Sequence, residues 1–238
     1  RRSLEILHEQ NLGGAPLPWA NPNPMAMVTN KKTNLFHSNI SHYELMRDLN
    51  RQWRQWTIDE PAVFITFNGM AYDEELVRRQ FYWNLFESYL TNTNGNGRLD
   101  ILLMMNNVAA FAPDVVNITL FNGGPGMSLK QADIAEANGI EIGDAHDAIA
   151  DCKLMISLLE KINAKKPELI DFFLSISTKP GVQAAVQQPG FLGLGEVFRR
   201  EIFKYPVVPC GSKAPNDLMF FDLSFDPNEI FEMDTQEI

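Results

Sequence analysis

The sequence predicts an α/β fold in which a buried strand and amphipathic helices pack together. Residues 61–67 (PAVFITF) are a short, almost wholly apolar run, which is typical of a strand covered on both faces at the centre of a sheet. A helical pattern follows over residues 73–90, and two further amphipathic helices are predicted over about 128–138 and 147–165. Helices that alternate with buried strands are typical of the α/β class.

The segments before the buried strand carry two further signals. Residues 4–8 (LEILH) predict a strand that is already under way where the sequence begins. Residues 41–56 predict a helix, because Ser41 can cap its start and Glu44 stands three residues later.

The character of the sequence changes after Pro206. Two short apolar runs, PVVPC and LMFFDLSF, flank a turn-forming segment, and this pattern predicts a β-hairpin. We therefore place a domain boundary near residues 167–190, with an α/β domain over residues 1–166 and a second unit over residues 167–238.

Composition narrows the functional classes without choosing among them. The 238 residues carry a net charge of −10, which disfavours binding of nucleic acid by general electrostatics. An enzyme that approaches phosphates through divalent metal ions is still compatible with this charge, because such metal sites are built from carboxylates. No apolar run approaches the roughly 18 residues of a membrane helix. Cys152 and Cys210 match no metal-binding spacing, so we expect a reducing, cytoplasmic compartment.

Asp73 is the first acidic residue with two competing roles. It opens the helix after the buried strand, at the carboxyl end of that strand, which is where ligands bind in open α/β sheets. A carboxylate in the first helical turn is also favoured by the helix dipole alone. Position therefore leaves both a binding role and a capping role open.

Asp151 is harder to explain as a surface residue. The third predicted helix places it within an apolar stripe made of Ala148, Met155, Leu158, Leu159 and Ile162. An uncompensated carboxylate there costs several kcal/mol, so it needs a cation, a metal or a hydrogen-bond network. His146 stands five residues earlier, in a loop that can reach the same place. A lone histidine is more often structural, but this combination indicates a metal-dependent hydrolase site.

Several motifs in order resemble one family. Residues 146–151 (HDAIAD), preceded by 137–141 (ANGIE), resemble the third motif of the DEDD 3′→5′ exonucleases, histidine subclass, and more closely that of the exonuclease I family. Residues 67–75 (FNGMAYDEE) resemble the second motif of the exonuclease I family. Further segments similar to this family are 79–84 (RQFYWN), 98–102 (RLDIL), 127–130 (MSLK) and 166–171 (KPELID).

This resemblance implies a fold and a metal site. The fold would be a ribonuclease H-like exonuclease domain with a mixed sheet over residues 1–166, followed by a linking helix and the start of an SH3-like β domain over residues 167–238. Asp73 and Asp151 would share two Mg²⁺ ions, or Mn²⁺ ions, with an Asp-x-Glu pair of the first motif. His146 would orient and deprotonate the attacking water. The implied nucleic-acid contacts are Asn68, Tyr72, Arg98, Ser128 and Lys130.

The implied activity is removal of mononucleotides from the 3′ end of single-stranded DNA in repair and recombination. The implied partners are that DNA end and a single-strand DNA-binding protein, with no membrane and a monomeric state. Two alternatives stay open: an RNA-directed or proofreading 3′→5′ exonuclease, and a non-catalytic nucleic-acid-binding remnant.

Two departures from the family pattern qualify this expectation. The Asp-x-Glu motif of the first strand would precede residue 4 and is absent from the sequence, so we expect a fragment with two of four metal-site acids missing and without activity of its own. Gln131 also stands where the resemblance predicts an apolar residue.

Overall fold

The computed structural model describes residues 4–21, 23–30, 36–118, 127–143, 148–214 and 217–233. The helices are α1 (Pro24–Asn30), α2 (His42–Trp56), α3 (Asp73–Trp83), α4 (Ile101–Phe111), α5 (Gln131–Ala137), α6 (Ala148–Lys165), α7 (Pro167–Ser175), α8 (Lys179–Val186) and α9 (Pro227–Phe231). The strands are β1 (Val63–Thr66), β2 (Gly97–Asp100), β3 (Leu192–Phe198), β4 (Glu201–Ala214) and β5 (Asp217–Asp222). Across these residues, no helix is both long enough and apolar enough to cross a membrane.

Strand β1 lies parallel to β2, with Val63 opposite Gly97 and Thr66 opposite Asp100. The Asn96 side chain fastens the start of this pair, since it accepts a hydrogen bond from Ala62 N at 2.9 Å and donates one to the Leu90 carbonyl at 2.8 Å. The expected central position of β1 is not found: within the described ranges β2 is its single strand neighbour, and the residues of β1 are half-buried. With no strand paired along its second side there, β1 is less enclosed than its apolar sequence predicts.

The core forms around α4, whose sequence is apolar on almost every side. A helix of that composition is expected to be buried. Ile101, Met104 and Met105 are at most 1% exposed. The residues packed with them come mainly from α6 and α7, namely Leu158, Leu159, Ile162, Ile170 and Phe173. The division of the chain at residue 166 remains a prediction.

The predicted hairpin after Pro206 is confirmed, because β4 and β5 pair antiparallel. Strand β3, which the sequence did not indicate, pairs with the other side of β4 and lies against α4. The side chains of Asn107 and Asn106 accept hydrogen bonds from the backbone N–H groups of Gly195 and Val197, at 2.9 and 3.0 Å. A Cβ on Gly195 would lie 2.6 Å from the Cβ of Ala110, so this close approach needs glycine.

Several predicted helix boundaries agree with the structure, whereas one predicted strand and the end of one predicted helix do not. The capping box of Ser41 and Glu44 starts α2, and α5 ends before Gly139, as expected. The third predicted helix is α6, which begins at Ala148. Residues 4–8 are not a strand, and the helix expected over 73–90 ends at Trp83.

Helix α3 ends early because its last turn is closed locally. The Asn84 side chain donates to the Gln80 carbonyl at 2.7 Å. Leu85 takes a left-handed backbone conformation with φ 59°, and Phe86 N donates to the Phe81 carbonyl at 2.8 Å. A left-handed residue together with a 6→1 hydrogen bond of this kind is a Schellman motif, which commonly ends α-helices.

Candidate active site

Asp73 is the first residue of α3 and follows a tight loop from β1. Asn68 has φ 59°, and a Cβ on Gly69 would collide with the side chain of Thr66. The Gly69 carbonyl accepts hydrogen bonds from Tyr72 N at 3.1 Å and Glu74 N at 2.8 Å. Because these donors flank Asp73 on both sides, the backbone that carries Asp73 is fixed by Gly69.

A second carboxylate, Asp100, lies beneath this loop and was not predicted as a site residue. It is the last residue of β2, it is 3% exposed, and it sits beside Thr66 in the parallel pair. Its oxygens accept hydrogen bonds from Asn68 N at 2.7 Å, Met70 N at 3.1 Å and Leu102 N at 3.0 Å. The sequence carries one signal for it, an aspartate between a strand and a helix, and that signal indicates a helix cap.

The electrostatics of Asp73 follow from this neighbour. The side chain is open to solvent, but partial burial of the carboxyl group raises its pKa, and the negative charge of Asp100 raises it further. Two anions close together favour a bound cation, because a cation relieves their repulsion.

Asp151 lies in the first turn of α6 and is half-buried. Its main-chain carbonyl accepts a hydrogen bond from Gln131 Nε2 at 2.6 Å, so the unexpected glutamine ties α5 to the turn that carries Asp151. The predicted stripe below Asp151 is present with one correction. Ala148 is exposed, and Leu154 takes a buried place in the stripe.

Cys152 follows Asp151, which lies in the first turn of α6. Burial raises the pKa of the Cys152 thiol most, and the charges of Asp151 and Asp73 each raise it further. Asp73 and Asp151, which are far apart in sequence, therefore act on one thiol.

The described residues do not include a complete set of metal ligands. They contain no group of three or more His, Cys, Asp or Glu side chains arranged to hold a metal ion. Asp73 and Asp151 offer the oxygen donors that Mg²⁺ and Mn²⁺ prefer. His146, the predicted catalytic residue, lies outside the described residues.

The residues predicted to contact nucleic acid differ in their solvent exposure and in their side-chain partners. Asn68 and Tyr72 are exposed on the loop before Asp73, and Lys130 is exposed at the N-cap of α5. Arg98 lines a cleft of about 560 Å³, and its guanidinium lies 3.7 Å from the Glu74 carboxylate. Ser128 is buried, and its hydroxyl donates to the side chain of Asp133.

Comparison with known proteins identifies solved structures that share the fold of this chain. No family model matches the chain. Three solved structures share its fold at 21% identity, and each is compared over 90–94% of this chain and 47–49% of its own. They are E. coli Exonuclease I in complex with a dT13 oligonucleotide (TM-score 0.75), a zinc-bound E. coli ExoI–ssDNA complex (0.71) and an ExoI/SSB-Ct complex (0.70). The chain therefore has the α/β fold of an exonuclease.

Curated sequences give the particular relative. The chain is 33% identical over 122 residues to Exodeoxyribonuclease I of Haemophilus influenzae, covering 50% of this chain and 25% of that protein. It is 26% identical over 180 residues to Exodeoxyribonuclease I of Escherichia coli K12, covering 72% of this chain and 38% of that protein. The chain is therefore similar in sequence to exodeoxyribonuclease I over part of that protein's length, and the resemblance predicted from its motifs is confirmed.

Proposed function

We propose that this chain is the site-bearing part of a 3′→5′ exodeoxyribonuclease that degrades single-stranded DNA to mononucleotides. The observation that carries the proposal is the sequence similarity to exodeoxyribonuclease I, in a chain whose Asp73 and Asp151 each lie in the first turn of a helix. The chain spans about a quarter to two fifths of the curated relatives described above.

In this proposal Asp73 and Asp151 hold divalent cations, Mg²⁺ or Mn²⁺, through their carboxylate oxygens. When bound, such ions stabilise the charge that develops on the attacking and leaving oxygens of a phosphodiester. His146 would deprotonate the attacking water, a role suited to histidine, whose ordinary pKa is near neutral. Asn68, Tyr72, Arg98 and Lys130 contact the DNA strand. Ser128 does so only if its hydroxyl turns away from Asp133.

The proposal extends to the rest of the chain and its surroundings. Strands β3 to β5 would be the start of an SH3-like domain. The partners would be a single-stranded DNA 3′ end and a single-strand DNA-binding protein, and the ExoI/SSB-Ct complex among the similar structures supports the latter. The protein would act as a monomer in the cytoplasm, which agrees with the free state of Cys152 and Cys210.

The test is nucleotide release from 3′-end-labelled single-stranded DNA with Mg²⁺. The resemblance implies an Asp-x-Glu pair in a first strand, which the 238 residues do not contain. We therefore compare the chain alone with the same chain joined to a designed strand that carries an Asp-x-Glu pair. The joined protein should release mononucleotides, and the chain alone should be slower by orders of magnitude, because two-metal catalysis depends on positioning.

The variants Asp73→Asn and Asp151→Asn should each slow nucleotide release by the joined protein about 100-fold or more, since each removes a carboxylate that would bind metal. Asp59→Asn, an exposed residue before β1 and so at the opposite end of the strand, is the matched control and should retain activity. Release that survives both site variants would reject the assignment. DNA binding without cleavage would favour a non-catalytic binding protein, and preference for RNA would favour the RNA-directed alternative.

A further inference from the structure

Asp100 makes more contacts than a helix cap requires. A cap for α4 needs one hydrogen bond, and Leu102 N provides it at 3.0 Å. The two other donors come from the loop before Asp73: Asn68 N at 2.7 Å and Met70 N at 3.1 Å, which are 32 and 30 residues away in sequence. These long-range bonds join the end of β2 to the loop that follows β1.

Among the described residues, the hydrogen bonds to the buried Asp100 carboxylate all come from backbone N–H groups. The three N–H groups above point at its two oxygens, and the side chain is 3% exposed. A carboxylate that accepts several backbone N–H bonds holds those donors at defined positions. The loop is thereby fixed to the sheet.

Hydrogen bonds and the intervening backbone connect Asp100 to the residues on either side of Asp73. Asp100 holds Asn68 and Met70, the two neighbours of Gly69. Gly69 in turn accepts from the backbone N–H groups of Tyr72 and Glu74, which flank Asp73. Displacement of the loop would therefore change the direction in which the Asp73 carboxylate leaves the helix.

We propose that Asp100 is a positioning residue: its buried carboxylate fixes the Asn68–Met70 turn and so the placement of Asp73. The inference rests on the proposed function for its consequence, which is cation binding at Asp73. Its geometric part, the control of the loop by Asp100, is testable without any activity.

The experiment uses Asp100→Asn in the full chain. Asparagine has nearly the same shape, but it offers one acceptor oxygen and an NH₂ donor, so at least one backbone N–H loses its partner. Binding is followed by the line broadening that Mn²⁺ causes on the backbone amide signals of α3. Loss of a residue that orients a metal ligand typically weakens metal binding 10–100-fold, so Asp100→Asn should require about tenfold more Mn²⁺.

Two further variants separate positioning from general stability. Asp226→Asn changes an aspartate that caps α9 through Asn228 N at 2.9 Å, without a bond to a distant loop, and it should bind Mn²⁺ like the unchanged chain. In an Asp73→Asn background, Asp100→Asn should weaken Mn²⁺ binding no further, because Asp100 acts through Asp73. Each titration is made under conditions in which the variant is folded. Slow amide exchange across the chain verifies that it is folded.

The outcomes are distinguishable. Unchanged Mn²⁺ binding in folded Asp100→Asn, or an equal further loss in the Asp73→Asn background, would overturn the positioning role. If the unchanged chain shows no broadening by Mn²⁺, the metal site of the proposed function fails instead. Hydrogen exchange then decides the inference: Asp100→Asn must speed exchange at the amides of Met70, Tyr72 and Glu74 at least several-fold more than at α9. Equal effects would refute it.

Discussion

At the scale of single residues, two neighbouring aspartates, Asp100 and Asp73, have opposite relations to the stability of the fold. Asp100 is buried and satisfied by three backbone donors. Asp73 faces solvent, and partial burial and the charge of Asp100 both raise its pKa. A raised carboxyl pKa means that the charged form is less favourable in the folded chain than in the unfolded one. Asp73 in its charged form therefore reduces the stability of the fold.

This property gives a pH-dependent prediction for Asp73→Asn. Below the ordinary aspartate pKa of about 3.9 the carboxyl is protonated in both states, and the variant and the unchanged chain should be equally stable. As the pH rises through the raised pKa of the folded chain, the unchanged chain loses stability and Asp73→Asn does not. Urea unfolding at pH 7 should thus show the variant to be more stable, with a gap that narrows towards pH 4.

The control for this experiment is Glu44→Gln. Hydrogen bonds from Ser41 lower the pKa of Glu44, so its charged form stabilises the fold above its ordinary pKa. Glu44→Gln should therefore lower stability at pH 7, the opposite sign to Asp73→Asn. A lower stability of Asp73→Asn at pH 7 would contradict the account of Asp73.

The sequence indicates some of these residues and not others. Asp73 and Asp151 stand out because each is an acid in an amphipathic helix, a local pattern. The main role of Asp100 depends on Asn68 and Met70, which reach it only after two strands have paired in parallel. No pattern of neighbouring residues carries that information.

At the scale of the elements, local signals determine the boundaries that agree. The start of α2 is a complete capping box: Ser41 Oγ accepts from Glu44 N at 3.2 Å, and the Glu44 carboxylate accepts from Ser41 N at 2.8 Å. The early end of α3 and the existence of β3 were missed for different reasons. The first depends on one left-handed residue, Leu85. The second depends on packing against α4, because Gly193 and Gly195 give β3 little strand propensity of its own.

The capping box gives the prediction at this scale. Ser41→Ala removes the hydroxyl that accepts from Glu44 N, and loss of an N-cap typically costs ~1 kcal/mol of unfolding free energy. Urea unfolding measures the loss, and Ser41→Thr, which keeps the hydroxyl that accepts from Glu44 N and donates to the Glu44 carboxylate, should recover most of it. Equal stability of Ser41→Ala and the unchanged chain would mean that α2 does not depend on its cap.

At the scale of the whole molecule, α4 joins the site to the second sheet. Its N-cap is Asp100, its buried side contacts α6 and α7, and its residues Asn106 and Asn107 hold β3. The sequence predicted the α/β class and the β4–β5 hairpin. It could not predict that α4 contacts both the α/β core and the second sheet, since the second contact depends on the close approach of β3 to α4 at Gly195.

Gly195→Ala tests this junction. The added Cβ would meet the Cβ of Ala110 at 2.6 Å and the backbone carbonyl of Asn106 at 2.8 Å, and backbone atoms cannot move aside easily. Overpacking of this kind typically costs about 1–3 kcal/mol, measured by urea unfolding, and protease cleavage within β3 to β5 should become faster. Glu196→Ala, at the exposed neighbouring position, should change little. Tolerance of Gly195→Ala would show that β3 can shift along α4.

The hydrogen bonds of the loop before Asp73 also have a consequence for comparisons among relatives. Residues 68, 70, 72 and 74 are each attached through their backbone N–H groups to a fixed acceptor, either Asp100 or the Gly69 carbonyl. Such a segment has a fixed length, because one added or removed residue would move every later donor away from its acceptor. Side chains within it are free to vary where they face solvent, but gaps are not tolerated. Sequences that keep Asp73 and Asp100 should therefore align without insertions from the end of β1 to Asp73, even where identity is low.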